Sequence, residues 1–416
     1  MKFKQVEPRH AQPVKCRYIV QNIPCPFAEE CRYDHTIDDP VVFTDDTLTY
    51  YLDPRTQEQQ PFTVLRRTLE ENHFVIRKLS RAQLAKIHTT LHWTTCYPNY
   101  PISTKSVVNH FPNSHQLTHK NLLSENLSTD FNYLPKSFVF PKQYNEFKNF
   151  DENGFLWIMK PNAKGGGENV RVLTREQVLD DYKIQHDTTC SLPANDVKLK
   201  KTVVCQYIDK PLLLNNKKVD MRLYVLLKNN CIFLFDDGIV RSASESYSNH
   251  LSTLNNPFIH ITNNSINNKK MRDNKIGVGD VNNCHGYYGN KSFKLLSSEI
   301  CFKYDKLYDL VRGAVNKTIF SDKFAHHESK LGHSYAKVKE KCFELLGFDV
   351  LFDEDLRPYL LEVNGMPDLD GMSRNGSVVI GVDFDIKAKM LSQCFNIVFC
   401  KEGLEHLVQG SWIKLQ

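Results

Sequence analysis

The sequence predicts a mixed fold of the α/β (α+β) type, on three observations. Apolar runs of strand length, such as Phe155 to Lys160 (FLWIMK) and Thr202 to Ile208 (TVVCQYI), alternate with stretches of helical period. Two pairs of runs lie close enough for hairpins. Asp220 to Lys228 joins Cys231 to Phe235 through Asn229-Asn230, and Phe348 to Phe352 joins Tyr359 to Val363 through an acidic turn, Asp353 to Arg357. The chain has 416 residues, 41% of them hydrophobic. That is the length of about two to three domains, with ample material for cores.

The elements follow in order. Residues 1–36 hold a Cys/His cluster and little that packs, and Thr36 to Pro40 reads as a polar linker. Thr63 to Leu79 predicts a helix and then a strand, and Lys120 to Leu127 a helix. Ser137 to Pro141 predicts a short strand and Gln143 to Phe150 a helix. Asp181 to Lys200 is polar and reads as an irregular insertion, and residues 253–270, rich in Asn, as loop. Ser334 to Leu346 has helical period. Four parts are expected: 1–40, a finger and linker; 41–135, an N-terminal subdomain; 136–218, a central one; and 219–416, a C-terminal one carrying a metal site.

Charge narrows the partners. With 53 basic and 48 acidic residues the chain is mildly basic, at +5. This suits an acidic partner without requiring nucleic acid over the whole surface. No apolar run approaches the ~20 residues of a membrane helix. The opening Met1-Lys2-Phe3-Lys4-Gln5 has no signal-peptide core. A cytoplasmic protein with no membrane partner is expected. Three of the 12 cysteines crowd into the first 31 residues, unlike a secreted disulfide scaffold.

Those three, Cys16, Cys25 and Cys31, stand with His35 at the spacing C-x8-C-x5-C-x3-H. Three thiolates and an imidazole close a tetrahedral Zn²⁺ shell with no open position, so the site is structural. The spacing resembles the CCCH zinc-finger family, as do Phe27 and Tyr33, each two residues after a cysteine. In that family these aromatics stack on single-stranded RNA. Residues 1–40 carry six basic and six acidic side chains, so RNA contact, protein docking and a structural cap all stay open.

Three clusters carry chemistry. On the strand Tyr359 to Val363 and its end, Glu362 and Asn364 share a face, and Asp349 comes from the strand beside it. Two carboxylates and an amide oxygen are hard ligands suited to Mg²⁺. Lys160 ends a strand and is followed by Gly165, Gly166 and Gly167, a turn whose backbone N–H groups can approach phosphate. Lys218, Asp220 and Arg222 alternate onto one face of an apolar strand, and Arg241 can join them from the next. Such a face suits phosphate or a carboxylate substrate.

Ordered blocks then resemble the tubulin tyrosine ligase-like family. Val108 to Asn113 (VNHFPN) is similar to its V-N-H-F-P stretch, and Trp157 to Pro161 to its W-I-x-K-P. Tyr207-Ile208 with Pro211 to Leu213 resembles Y-I-x-x-P-L-L; Lys218 to Arg222 resembles K-F-D-x-R; Gly238 to Arg241 resembles G-x-x-R. His260 to Asn263 (HITN) resembles H-L-T-N. Phe343 to Asp349 and Pro358 to Pro367 resemble the closing C-F-E-x-x-G-x-D and P-W-L-L-E-V-N-x-x-P.

The resemblance implies an ATP-grasp catalytic part. It implies Mg²⁺ on Asp349, Glu362 and Asn364. Lys160 would grip ATP phosphates, with Lys164, Gly166 and Gly167 in the loop over them. Gln206, Tyr207 and Ile208 would hug the adenine. Lys218, Asp220, Arg222, Arg241, Thr262 and Asn263 would lie near the nucleotide and the reacting carboxylate. Lys218, Arg222, Arg241 and Glu362 are the implied catalytic groups. The implied reaction makes an acyl phosphate from a carboxylate and ATP, and a free amino acid's amine then forms the amide. Glutamylase-like wording points to glutamate and to tubulin's acidic tails, with tyrosine ligation the alternative. The loop reads Gly167-Glu168-Asn169-Val170 where the family has G-x-G-I. A weakly catalytic protein recruited through its finger is therefore a further alternative.

Overall fold

The computed structural model describes residues 48–52, 63–77, 89–95, 106–128, 130–150, 154–161, 169–186, 202–267, 290–321, 341–370, 382–400 and 410–416. The expected zinc shell of Cys16, Cys25, Cys31 and His35, and the loop residues Lys164, Gly166 and Gly167, lie outside them.

Among the described residues three sheets organise the fold, which is mixed α/β. The first is parallel, in the order β2-β1-β3-β4. It comprises β1 (Thr49–Leu52), β2 (Val75–Ile76), β3 (Leu91–Trp93) and β4 (Val107–Val108). Helix α1 (Thr63–Glu71) joins β1 to β2 and buries Val64, Leu65, Thr68 and Leu69, one stripe at helical spacing. Two short helices follow, α2 (His115–Thr118) and α3 (Lys120–Leu127).

The second sheet is antiparallel, in the order β5-β8-β6-β7. Its strands are β5 (Ser137–Phe140), β6 (Trp157–Pro161), β7 (Arg171–Leu173) and β8 (Thr202–Gln206), with helices α4 (Tyr144–Lys148) and α5 (Arg175–His186) between them. Aromatic rings fill its small core: Phe147 meets Trp157 edge-on at 4.9 Å, and Phe138 meets Phe147 at 5.3 Å.

The third sheet is the largest. It begins with β9 (Leu213–Leu214), β10 (Lys217–Lys228) and β11 (Cys231–Ser242). Helix α6 (Pro257–His260), strand β12 (Lys291–Ser292) and helices α7 (Phe293–Glu299) and α8 (Asp305–Asn316) come next. Then come β13 (Phe343–Phe352), β14 (Pro358–Asn364), helix α9 (Val382–Val398) and β15 (Trp412–Lys414). The order is β12-β11-β10-β13-β14, with β9 on β10 and β15 on β11. Both faces are covered. Tyr224, Leu226, Phe343 and Leu345 pack against α9 and the first sheet, and Met221, Leu223, Leu346 and Phe348 against α7 and α8. Helix α8 presents Leu307, Leu310, Val311 and Ala314, all fully buried, each leucine contributing about 1.5–3 kcal/mol.

Two expected elements change. Phe343 to Leu346 is strand, not helix. All ten residues of β13 are buried, and a strand covered on both faces loses the alternation that distinguishes it. Asp181 to His186 is helical, the end of α5, where the Asp181 carboxylate pairs with Arg171. Within 253–270, α6 is a helical turn; Asn256 caps it by accepting from the Phe258 N–H at 3.0 Å. The hairpin at Asn229 turns as expected, with φ +53°.

Candidate active site

The second and third sheets face each other across a cleft of about 800 Å³, counted to its open mouth. Ends of β6 and β8 supply one wall: Ile158, Lys160, Cys205 and Gln206, then Tyr207 and Ile208 just past β8. Strands of the third sheet supply the other: Lys218, Asp220, Arg241, Asp349, Leu351, Leu361 and Glu362. Thr262 and Asn263, just after α6, line one side and Lys120 of α3 another. Lys160 reaches across, its Nζ donating to the Leu361 carbonyl at 3.3 Å.

Strand parity and register set the charged wall. Asp220 stands opposite Arg241, and Asp349 opposite both Arg222 and Glu362. Opposed residues of antiparallel strands share a face, so five charged groups from four strands meet. Arg241 donates to both Asp220 oxygens at 2.7 Å and to Asp349 Oδ2 at 3.1 Å. Arg222 binds Asp349 through two N–H groups, at 2.5 and 3.0 Å. Thr262 Oγ1 donates to Asp220 Oδ2 at 2.7 Å.

Arg222 pairs with Asp349 and is 14% exposed, but it is not among the side chains that line the cleft. Gly347 makes this possible: a Cβ there would lie 3.0 Å from Arg222 Cδ and 3.1 Å from Pro367 Cβ. Burial works against both arginines and the Asp349 carboxylate, but mutual attraction wins. The two guanidinium groups hold Asp349 well below the usual carboxylate range.

Burial pushes Lys218 down to about 7; Asp220 opposes the shift and Lys160 adds to it. Two ammonium groups converging on a cleft wall are costly until an anion joins them. His260 is pushed down to about 4 by burial and by the Lys218 charge. Tyr207 Oη lies 2.9 Å from His260 Nδ1 and 3.1 Å from Lys218 Nζ.

The donor set for a divalent cation is chemically suited to Mg²⁺: two carboxylates and one amide on paired strands, all oxygen donors. Asp349 is buried, Glu362 is partly open and paired with Lys120 Nζ at 3.2 Å, and Asn364 sits 3.5 Å from Asp349 Oδ2. Among the described residues no group of three His, Cys, Asp or Glu side chains that could hold a metal ion is present. No helix of the described residues is long and apolar enough to cross a membrane.

Lys120 and His260 are site residues that sequence reasoning did not single out. His260 stood inside the HITN block; for Lys120 the only signal was its place at the start of a helix.

Apolar side chains (Ile158, Cys205, Ile208, Leu351) share the lining of this cleft with lysines, Arg241 and carboxylates. The chain belongs to the tubulin-tyrosine ligase family, whose model matches residues 101–403. It is 28% identical over 370 residues to the tubulin monoglutamylase TTLL4 of Mus musculus, covering 84% of this chain and 28% of that protein. It is 32% identical over 321 residues to the tubulin polyglutamylase TTLL5 of Homo sapiens, covering 71% of this chain and 22% of that protein. It is 27% identical over 344 residues to a probable tubulin polyglutamylase, ttll-9, of Caenorhabditis elegans, covering 76% and 73%. The chain thus spans only 28% and 22% of the length of the first two relatives.

Proposed function

We propose that the chain is an ATP-dependent carboxylate–amine ligase with an ATP-grasp catalytic part. It adds glutamate to acidic tails of tubulin or a similar protein in the cytoplasm. One observation carries this: Lys160 and Lys218, from two different sheets, and Arg241 converge with Asp349 and Glu362 in one cleft that apolar side chains also line. The relatives named as glutamylases direct the choice of amino acid.

The cleft takes the adenine between Ile158, Cys205 and Ile208. Lys160 and Lys218 neutralise phosphate oxygens. Mg²⁺, held by Asp349, Glu362 and Asn364, would neutralise phosphate charge as it develops. The acceptor's carboxylate oxygen bonds to the γ-phosphorus as the bond to ADP breaks, giving an acyl phosphate. The glutamate amine then attacks the acyl carbon, phosphate leaves and the nitrogen loses a proton. Arg241 stabilises the anionic centre, with Asp220 and Asp349 fixing its direction.

Labelled glutamate and tyrosine, each offered with MgATP and tubulin, test the reading. Glutamate incorporation that Glu362→Gln lowers about 100-fold or more is expected. Tyrosine-only incorporation rejects glutamylation. Nucleotide binding without incorporation of either supports the recruited, weakly catalytic alternative, which the Glu168-Asn169 departure favours. Cys16, Cys25, Cys31 and His35 are proposed separately to hold one structural Zn²⁺, by their spacing. One equivalent of zinc, lost in Cys31→Ser, is the expected result, with RNA contact, protein docking and a structural cap as the readings of the finger.

A further inference from the structure

Three side chains that line the cleft form a hydrogen-bonded line. Lys218 Nζ donates to the Tyr207 hydroxyl oxygen at 3.1 Å. That hydroxyl lies 2.9 Å from His260 Nδ1, and His260 Nε2 lies 3.1 Å from the Thr253 carbonyl oxygen. A carbonyl only accepts, so Nε2 carries the ring proton and Nδ1 presents a lone pair. The hydroxyl therefore donates to Nδ1 and turns its own lone pairs toward Lys218. The far end of the line sets the direction of every proton in it.

Lys218, Tyr207 and His260 are 6%, 3% and 2% exposed, so water is a poor substitute for any of them. They come from β10, the end of β8 and α6, so the line ties three elements together. Lys218 Nζ also lies 4.2 Å from the Tyr207 ring centroid. Two other charged groups act on the amine, Asp220 on its own strand and Lys160 from β6. Tyr247 lies edge-on to His260 and donates its hydroxyl to the Asp209 carbonyl at 2.7 Å; its oxygen also hydrogen-bonds the Tyr207 hydroxyl, so the Tyr207 proton is shared between that oxygen and Nδ1.

We propose that Tyr207 and His260 are positioning residues, which fix where the Lys218 ammonium points in the cleft. The proposal rests on the cleft being the nucleotide site, since Lys218 then meets phosphate. Without His260 the hydroxyl proton can rotate toward Lys218, and the oxygen is no longer held as an acceptor.

Trace acylation of lysines, read at Lys218 by peptide mass spectrometry, reports on this amine in the full chain without nucleotide. Tyr207→Phe keeps the ring and removes the oxygen that holds the ammonium. Lys218 is then expected to label about threefold faster or more at pH 6, below its value of about 7, because less of it is protonated. His260→Leu shifts labelling the same way. His260→Asn, whose amide oxygen can accept in place of Nδ1, brings the rate back toward that of the native chain. Equal labelling in the native chain and Tyr207→Phe overturns the proposal; so does His260→Asn labelling like His260→Leu, which would make the effect one of packing. MgATP added to the native chain separates the two readings. Protection of Lys218 supports nucleotide in the cleft. Absence of protection removes that function, while the variant ratios still judge the line of hydrogen bonds.

Discussion

The two walls of the cleft are built on opposite principles. On the third sheet, Asp220, Arg241, Asp349 and Arg222 alternate in sign and satisfy one another. On the second sheet, Lys160 makes a single reach of 3.3 Å to a carbonyl of the opposite wall. The first wall lies in a sheet covered on both faces, so its charges are affordable only as a closed set. The second wall is a small sheet over an aromatic core. The difference separates two duties: one wall holds fixed charge where bonds change, and the other grips what enters.

Removing one member of the closed set should break the first wall. Asp349→Asn leaves Arg222 and Arg241 without their shared carboxylate, and a loss of about 3–5 kcal/mol in urea unfolding is expected. Asp349 titrates below the usual carboxylate range in the folded chain. Its contribution is therefore complete above ~3.9, the unfolded value, and is lost as pH falls from there toward the depressed folded value. The native-minus-variant difference should stay level between about pH 8 and 5. A difference under about 1 kcal/mol would show that the set is not what holds the wall.

Gly347→Ala strikes the same wall more gently. The new Cβ presses on Arg222 and Pro367 at 3.0–3.1 Å, so these side chains must give by a few tenths of an ångström beside Asp349. About 1–3 kcal/mol is expected, with activity lost in step. Native activity with lowered stability would separate Arg222 from the chemistry.

The walls also differ in how legible they were. Period-2 parity placed Glu362 with Asn364, and Lys218 with Asp220, because a strand leaves no other choice of face. Parity also grouped Arg222 with them, yet whether a side chain lines a cleft or pairs with a neighbour depends on a glycine in another strand, Gly347. Phe343 to Leu346 misled because a strand buried on both faces carries no alternation and imitates a buried helix. Long-range pairs were out of reach. Glu344, fully buried in β13, accepts from the Phe111 N–H at 2.6 Å and pairs with His110 at 2.7 Å, over 233 and 234 residues of chain. No local pattern encodes such a contact, nor the 53-residue step from Tyr207 to His260.

Lys160→Met probes the second wall. It removes a charge that the fold does not need, so unfolding should change by less than about 0.5 kcal/mol. MgATP affinity should fall about 10-fold or more, read by calorimetry. If stability falls as far as in Asp349→Asn, the two walls do not differ in kind.

The smallest effect calibrates the largest. Asp309 and Arg312 form an ion pair at 2.6 Å on α8, with side chains 55% and 46% exposed. Judged by distance alone it matches Arg241 and Asp220 at 2.7 Å. Solvent screens the exposed pair, and two mobile side chains lose entropy to form it, so Asp309→Ala should cost no more than about 0.5 kcal/mol. Salt sharpens the contrast. Raising ionic strength should erase what little Asp309 contributes, and leave the Asp349→Asn difference largely intact, because screening reaches buried charges poorly. Unfolding of both variants at about 0.05 and 0.5 M salt reads this directly. If the Asp349 difference collapsed with salt as the Asp309 one does, the charged wall would be an exposed surface and the division of duties would fail.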